Sequence, residues 1–172
     1  MFQKSFGFTL IEMMVTVAIA AILLAVAIPS FTQMMDKKRL EGAAESLYAD
    51  LQLAQSEAIK ANKTIKISFY TNSTVWCYGL TDNTAGCNCQ ALNSCMIGGI
   101  QRTVSSDEFQ NITISSSLPT FSFSPPRGTA NTSKIEFQSA SNQTLQVKVS
   151  GFGRVKLCSP AGAGNLGGYP VC

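Results

Sequence analysis

The chain has 172 residues, of which 45% are hydrophobic and only 13% charged, with a formal net charge of +3 and no histidine. Such a length suits one domain of ordinary size with some chain left over, and so small a net charge does not by itself call for a polyanionic partner. Absence of histidine removes the commonest general base and metal ligand, and neither a Gly-rich phosphate loop nor a nucleophile–base pair is recognisable. No enzymatic activity, cofactor or metal is therefore expected.

The first element in chain order is apolar. "FTLIEMMVTVAIAAILLAVAI", residues 8–28, holds a single charge, Glu12. About 20 apolar residues span a bilayer core as a helix, whereas the apolar part of an ordinary signal peptide is shorter and precedes its small-residue cleavage site. Here the small residue, Gly7, stands before the apolar run and follows a short leader with Lys4. A cut after Gly7 would leave the membrane segment on the mature chain, with Phe8 as its amino terminus. A carboxylate within a membrane segment is costly, and a partner cation offsets that cost. Glu12 is placed to pair with an amino terminus, its own or a neighbouring subunit's.

Taken together, Gly7, Phe8, Thr9-Leu10-Ile11-Glu12, the apolar helix and Pro29 resemble the class III signal of type IV pilins and type II secretion pseudopilins. The resemblance implies removal of residues 1–7 as a leader by a prepilin peptidase and methylation of the Phe8 amine. It also implies a helix at 8–35 that serves as membrane anchor and filament core, with Glu12 as an assembly contact among pilin subunits. The head, 36–172, would lie in the periplasm of a bacterium, anchored by a single pass of the inner membrane, and would reach the cell surface in a pilus.

Beyond Pro29 the helical pattern resumes. Leu40, Ala43, Leu47, Leu51, Ala54 and Ala58 recur at steps of three and four, the stripe of an amphipathic helix. Phe8 to about Asn62 is expected to form one long helix, roughly 80 Å at 1.5 Å per residue, bent at Pro29. After Asn62 the pattern changes to period two. Strands are expected at 64–69, 75–80, 109–115, 120–124, 134–139, 144–150 and 153–158, separated by Ser/Asn/Thr/Gly/Pro stretches. The fold class is accordingly α+β: a long kinked N-terminal helix, its first half transmembrane, packed on a small antiparallel β-sheet domain, type IV pilin-like.

Six cysteines, Cys77, Cys87, Cys89, Cys95, Cys158 and Cys172, all lie beyond the membrane segment. An even count behind a membrane-targeting segment favours disulfides in an oxidising compartment. "CNCQALNSC" lacks the paired spacing and the histidine of a zinc site. A Cys158–Cys172 bridge would anchor the glycine-rich tail, and the other four would pair among themselves in a connectivity the sequence does not reveal.

The stretch "FSFSPPRGTANTSKIEFQSASNQTLQVKVSGFGRVKLC" resembles the C-terminal half of the GspH/FimT family, with Phe121, Phe123, Pro125 and Gly128 in its turn and one extra residue before the glycine. That family includes type II secretion pseudopilins and FimT-like minor pilins, some of which bind DNA during natural transformation through a Gly-Arg-x-Arg motif. The corresponding run here is Gly153-Arg154-Val155-Lys156, with lysine for the last arginine. Lysine keeps the charge and loses bidentate geometry, which matters little at a phosphate. From Arg127 to the end stand five cations and one anion. The reading is a minor pilin that binds double-stranded DNA without sequence preference through Arg154, Lys156 and Lys148, with Gly153 in the motif, and so aids DNA uptake in natural transformation. The competing reading is a structural minor pilin or GspH-like pseudopilin without DNA binding.

Overall fold

The structure is a computed structural model that describes residues 7–72, 75–162 and 164–172. Lys4 and the rest of the leader before Gly7 lie outside the described residues. The chain divides into two compact units, Met1–Met35 and Asp36–Cys172.

Helix α1, Leu10–Ala61, opens with a local cap: the Glu12 amide donates to Thr9 Oγ1 at 3.3 Å and the Met13 amide to the Thr9 carbonyl at 3.2 Å. Thr9 and Glu12 have the Thr-x-x-Glu spacing of a capping box, so the carboxylate also sits in the first turn, where the helix dipole favours negative charge. The helix continues through position 29 without a break. Leu10, Ile11, Met13, Val17, Ile22 and Leu23 are all exposed, and the segment is long and apolar enough to cross a membrane. At the other end Asn62 adopts φ 50° and the Lys63 amide donates to the Ala58 carbonyl at 3.2 Å, a left-handed stop of the kind asparagine tolerates.

Within the head, the α1 stripe is the centre of the core. Leu40, Ala44, Leu47, Leu51, Ala54 and Ala58 are each 0% exposed. Two antiparallel sheets face that stripe. The five-stranded sheet has the order β5-β2-β1-β7-β8 and is built from β1 (Ile65–Asn72), β2 (Val75–Thr81), β5 (Thr103–Ser105), β7 (Thr120–Ser124) and β8 (Thr129–Ala130). The four-stranded sheet has the order β11-β10-β9-β6, from β6 (Ile112–Ser116), β9 (Ser133–Ser139), β10 (Thr144–Val149) and β11 (Val155–Cys158). A small hairpin, β3 (Met96–Ile97) with β4 (Ile100–Gln101), stands on the cysteine loop. Alternation along β9 and β10 sends Ile135, Phe137, Leu145 and Val147 into the core, as period two requires. The two sheets are clasped by Trp76 of β2, whose buried Nε1–H donates to the Ile112 carbonyl of β6 at 2.7 Å.

The expected strands are present, with shifts at their ends: residues 109–111 form a turn rather than the start of β6, and β1 runs on to Asn72. Strands β3, β4, β5 and β8 were not expected. Each has two or three residues, too few for an alternation to register.

The three disulfides are Cys77–Cys89, Cys87–Cys95 and Cys158–Cys172. The first two fold the loop that follows β2 back onto that strand, over Gly79. A Cβ on Gly79 would lie 2.7 Å from Cys95 Cβ, so only glycine leaves room there. The third closes the tail against β11, where the Ser159 amide donates to the Pro170 carbonyl and the Cys172 amide to the Ser159 carbonyl. Tyr169 ties the same tail to the helix, its hydroxyl donating to Glu45 Oε1 at 2.6 Å.

Candidate cation site at the sheet edge

Strands β10 and β11 pair in a register that sets Lys148 opposite Lys156, and β9 and β10 in one that sets Lys148 opposite Lys134. The side chains of one face alternate with the buried ones, so all three lysines stand on the face away from α1. The Ser150 amide donates to the Arg154 carbonyl at 3.0 Å, which makes 150 and 154 a hydrogen-bonded pair. By alternation Lys148 and Lys156 are the next such pair, with Cα atoms about 5.5 Å apart.

Among the described residues only Lys134 of the three has a carboxylate, Glu136 Oε2 at 3.4 Å, and that oxygen also accepts from Gln146 Nε2 at 2.7 Å. Lys148, Lys156 and Arg154 have no ion pair among the described residues. Like charges opposed across strands are destabilising. Two ammonium groups about 6 Å apart in water repel by roughly 0.7 kcal/mol, which a bound anion would relieve.

Arg154 and Lys156 are exposed and Lys148 is half-buried, while Val155 and Leu157, which alternate with them, are half-buried. The structure thus brings Lys148, Arg154 and Lys156 onto one edge. Gly153 differs from the motif reading on one point: it is buried and offers no contact surface. Its φ is 80°, and a Cβ there would overlap the Gly128 carbonyl oxygen and stand 2.5 Å from Gln55 Nε2. Gln55 itself donates to the Gly128 carbonyl at 3.3 Å. Gly153 is the point where the β10–β11 turn lies against both the 125–128 turn and α1, and it fixes where Arg154 begins.

Two neighbours of this edge are placed only by the structure, although Arg127 is already counted among the C-terminal cations. Arg127 is exposed in the turn that touches Gly153, so it stands at the same end of the head as Arg154. Phe152, at the tip of the β10–β11 turn, is 89% exposed. Neither has a period or motif to announce it; the contact between two turns creates the neighbourhood. Beside the free edge of β11 runs a groove of about 490 Å³, lined by Tyr48, Lys148, Lys156 and the tail residues Pro170 and Val171.

A second polar cluster lies within the head, between α1 and β2. Tyr78 is fully buried, and its hydroxyl donates to Asp50 Oδ2 at 2.8 Å and lies 3.3 Å from Ser46 Oγ. Burial raises the Asp50 carboxyl above its ordinary value, against the opposing pull of the Tyr78 hydrogen bond and the Arg102 charge. Burial, with the Asp50 charge beside it, raises the Tyr78 phenol as well. These groups hold the helix to β2.

Comparisons with known proteins follow the same lines. The family model described as type II transport protein GspH matches residues 43–153, and that of the prokaryotic N-terminal methylation motif matches residues 3–28. Fimbrial protein Q of Moraxella bovis is 33% identical over 93 residues, 54% of this chain and only 59% of that protein's length. Among solved structures, the type IV minor pilin FimU of Pseudomonas aeruginosa aligns with a TM-score of 0.53 at 19% identity, over 73% of this chain and 99% of that one. The minor pseudopilin EpsH of the Vibrio cholerae type 2 secretion system aligns with 0.55 at 11% identity, over 72% and 99%. At such identities these two likenesses concern the fold. With that family model spanning most of the head and the methylation motif matching the N-terminal helix, the chain belongs to the GspH family of type II transport proteins.

Proposed function

We propose that this protein is a minor pilin of a type IV pilus whose head binds DNA through the β10–β11 edge, aiding DNA uptake. The observation that carries the reading is the register Lys148↔Lys156, continued by Arg154, with no ion pair on any of the three among the described residues. Cations set side by side without counter-charge suit a ligand with regularly spaced anions, and phosphates contacted this way give affinity without sequence readout. The motif run Gly153–Lys156 resembles that of DNA-binding members of the family and adds support. In this reading the prepilin peptidase cuts between Gly7 and Phe8, the Phe8 amine is methylated, Glu12 registers the subunit in the filament, and the head stands in the periplasm before assembly.

The family model's own description, a type II transport protein, favours a second reading: a pseudopilin whose role is structural. Complementation of a deletion strain separates the two. Chain carrying Arg154→Gln and Lys156→Gln should restore filaments but not DNA uptake, and intact mass should show a chain beginning at methylated Phe8. Full DNA uptake with the double variant would leave the structural reading in place.

A further inference from the structure

We infer that Phe152 is a stacking platform for an unpaired nucleobase, so that the basic edge takes single-stranded nucleic acid more tightly than duplex. The inference rests on the nucleic-acid reading above and deepens it. Phe152 is 89% exposed at the tip of the β10–β11 turn and makes no ring contact among the described residues. The turn that carries it is tied on every side. Ser150 and Arg154 pair through their backbone, the Gly153 amide donates to the Ser150 carbonyl at 2.8 Å, and the Arg154 amide donates to Ser150 Oγ at 3.1 Å. The Ala130 amide donates to the Gly151 carbonyl at 3.2 Å, and Gly153 lies against the Gly128 carbonyl. An apolar ring is therefore held out into water by a backbone with little freedom to withdraw it.

Its setting names the ligand. Arg154 follows it by two residues, and Arg127 occupies the neighbouring turn, both exposed. A neutral aromatic face beside guanidinium groups matches a strand whose phosphates meet the cations while a base lies on the ring. Bases in a duplex are already stacked on one another, so the ring adds nothing there. A docking pocket on another subunit would use the ring too, but it gives no reason for unpaired cations beside it.

The test uses the full chain in non-ionic detergent, titrated at about 50 mM salt with a labelled oligothymidylate of about 12 nucleotides and with a duplex of the same length. The parent should bind the single strand more tightly. Phe152→Ala should weaken single-strand binding about 5- to 150-fold, the range of one base–aromatic stack, and duplex binding less than about twofold. Phe152→Trp should retain the single-strand affinity, and thermal midpoints should agree, since the ring is 89% exposed. If the parent binds both ligands and Phe152→Ala changes neither, the platform is refuted and the DNA reading stands. If Phe152→Ala leaves the single-strand affinity intact and blocks entry into filaments, the ring belongs to a subunit contact and the inference is overturned. If the parent binds neither ligand, the DNA reading itself fails, and this inference with it.

Discussion

Replacing Arg154 and Lys156 together by glutamine should alter the salt dependence of DNA binding by an amount that follows from the register. With Lys148, Arg154 and Lys156 each meeting a phosphate, three counterions are displaced, and log K falls with log salt at a slope of about −0.9 per contact. Raising salt from about 50 to 200 mM should then weaken duplex binding by the parent about 40-fold. The double variant retains Lys148, and the same change should weaken it only about 3- to 4-fold. If the part of binding that does not depend on salt is unaltered, the variant should bind about 200-fold more weakly at 50 mM and about 20-fold more weakly at 200 mM. Folding should not suffer: exposed charges of this kind contribute little, and losing Lys156 relieves its repulsion with Lys148. Fluorescence anisotropy at four salt concentrations, with a denaturant curve for each protein, measures both quantities. Equal slopes for parent and double variant would refute the assignment of phosphate contacts to this edge.

Gly153→Ala should destabilise the head by about 3 kcal/mol or more, because its φ of 80° disfavours any side chain and the new methyl meets the Gly128 carbonyl; a denaturant midpoint equal to the parent's would contradict that packing. Breaking the tail bridge with Cys158→Ser and Cys172→Ser should cost roughly 3 kcal/mol in the chain-entropy picture and expose residues near 159–172 to protease, which limited proteolysis reads directly. Burial raises Asp50 above its ordinary value of 3.8, so the folded head holds that proton more tightly than the unfolded chain. The stability contributed there is greatest below that value and falls as pH rises through the raised one. Asp50→Asn, which still accepts from Tyr78, should flatten that fall and leave neutral-pH stability equal or higher. A clear loss at neutral pH, by urea unfolding, would show that the charge is needed.

Much of the head was legible in the sequence because its signals are periodic. The α1 stripe from Leu40 to Ala58 and the alternation in 134–139 and 144–149 are buried as their spacing implies, since a helix face and a sheet face each need a run of matched residues. What escaped notice has no period. Strands of two residues beside the cysteine loop depend on Cys77–Cys89 and Cys87–Cys95 for their position, and a pairing among four cysteines has no local signature. The basic edge was visible only in part. Arg154 and Lys156 are two apart on one strand, so their common face follows from the pleat. Lys148 follows once the two strands are expected to pair as a hairpin, and the register sets it opposite Lys156; Arg127 has a place beside Arg154 only because two loops meet at Gly128 and Gly153. The motif groups Gly153 with the cations. Its buried place shows that a glycine can belong to a surface motif by fixing the backbone behind it.

Strand β11 is an edge, and an edge leaves a row of amide and carbonyl groups open to pairing with any extended chain nearby. By the alternation fixed at Ser150 and Arg154, the open groups belong to Val155 and Leu157, while those of Ser159 are already taken by Pro170 and Cys172. Two heads brought close together would each offer such an edge, and strand pairing between them would compete with any other docking. Arg154 and Lys156 stand along the open stretch, and two such edges brought together would set cation against cation. Arg154 and Lys156 thereby act as gatekeepers against self-association, and the disulfide-held tail covers the edge where they end.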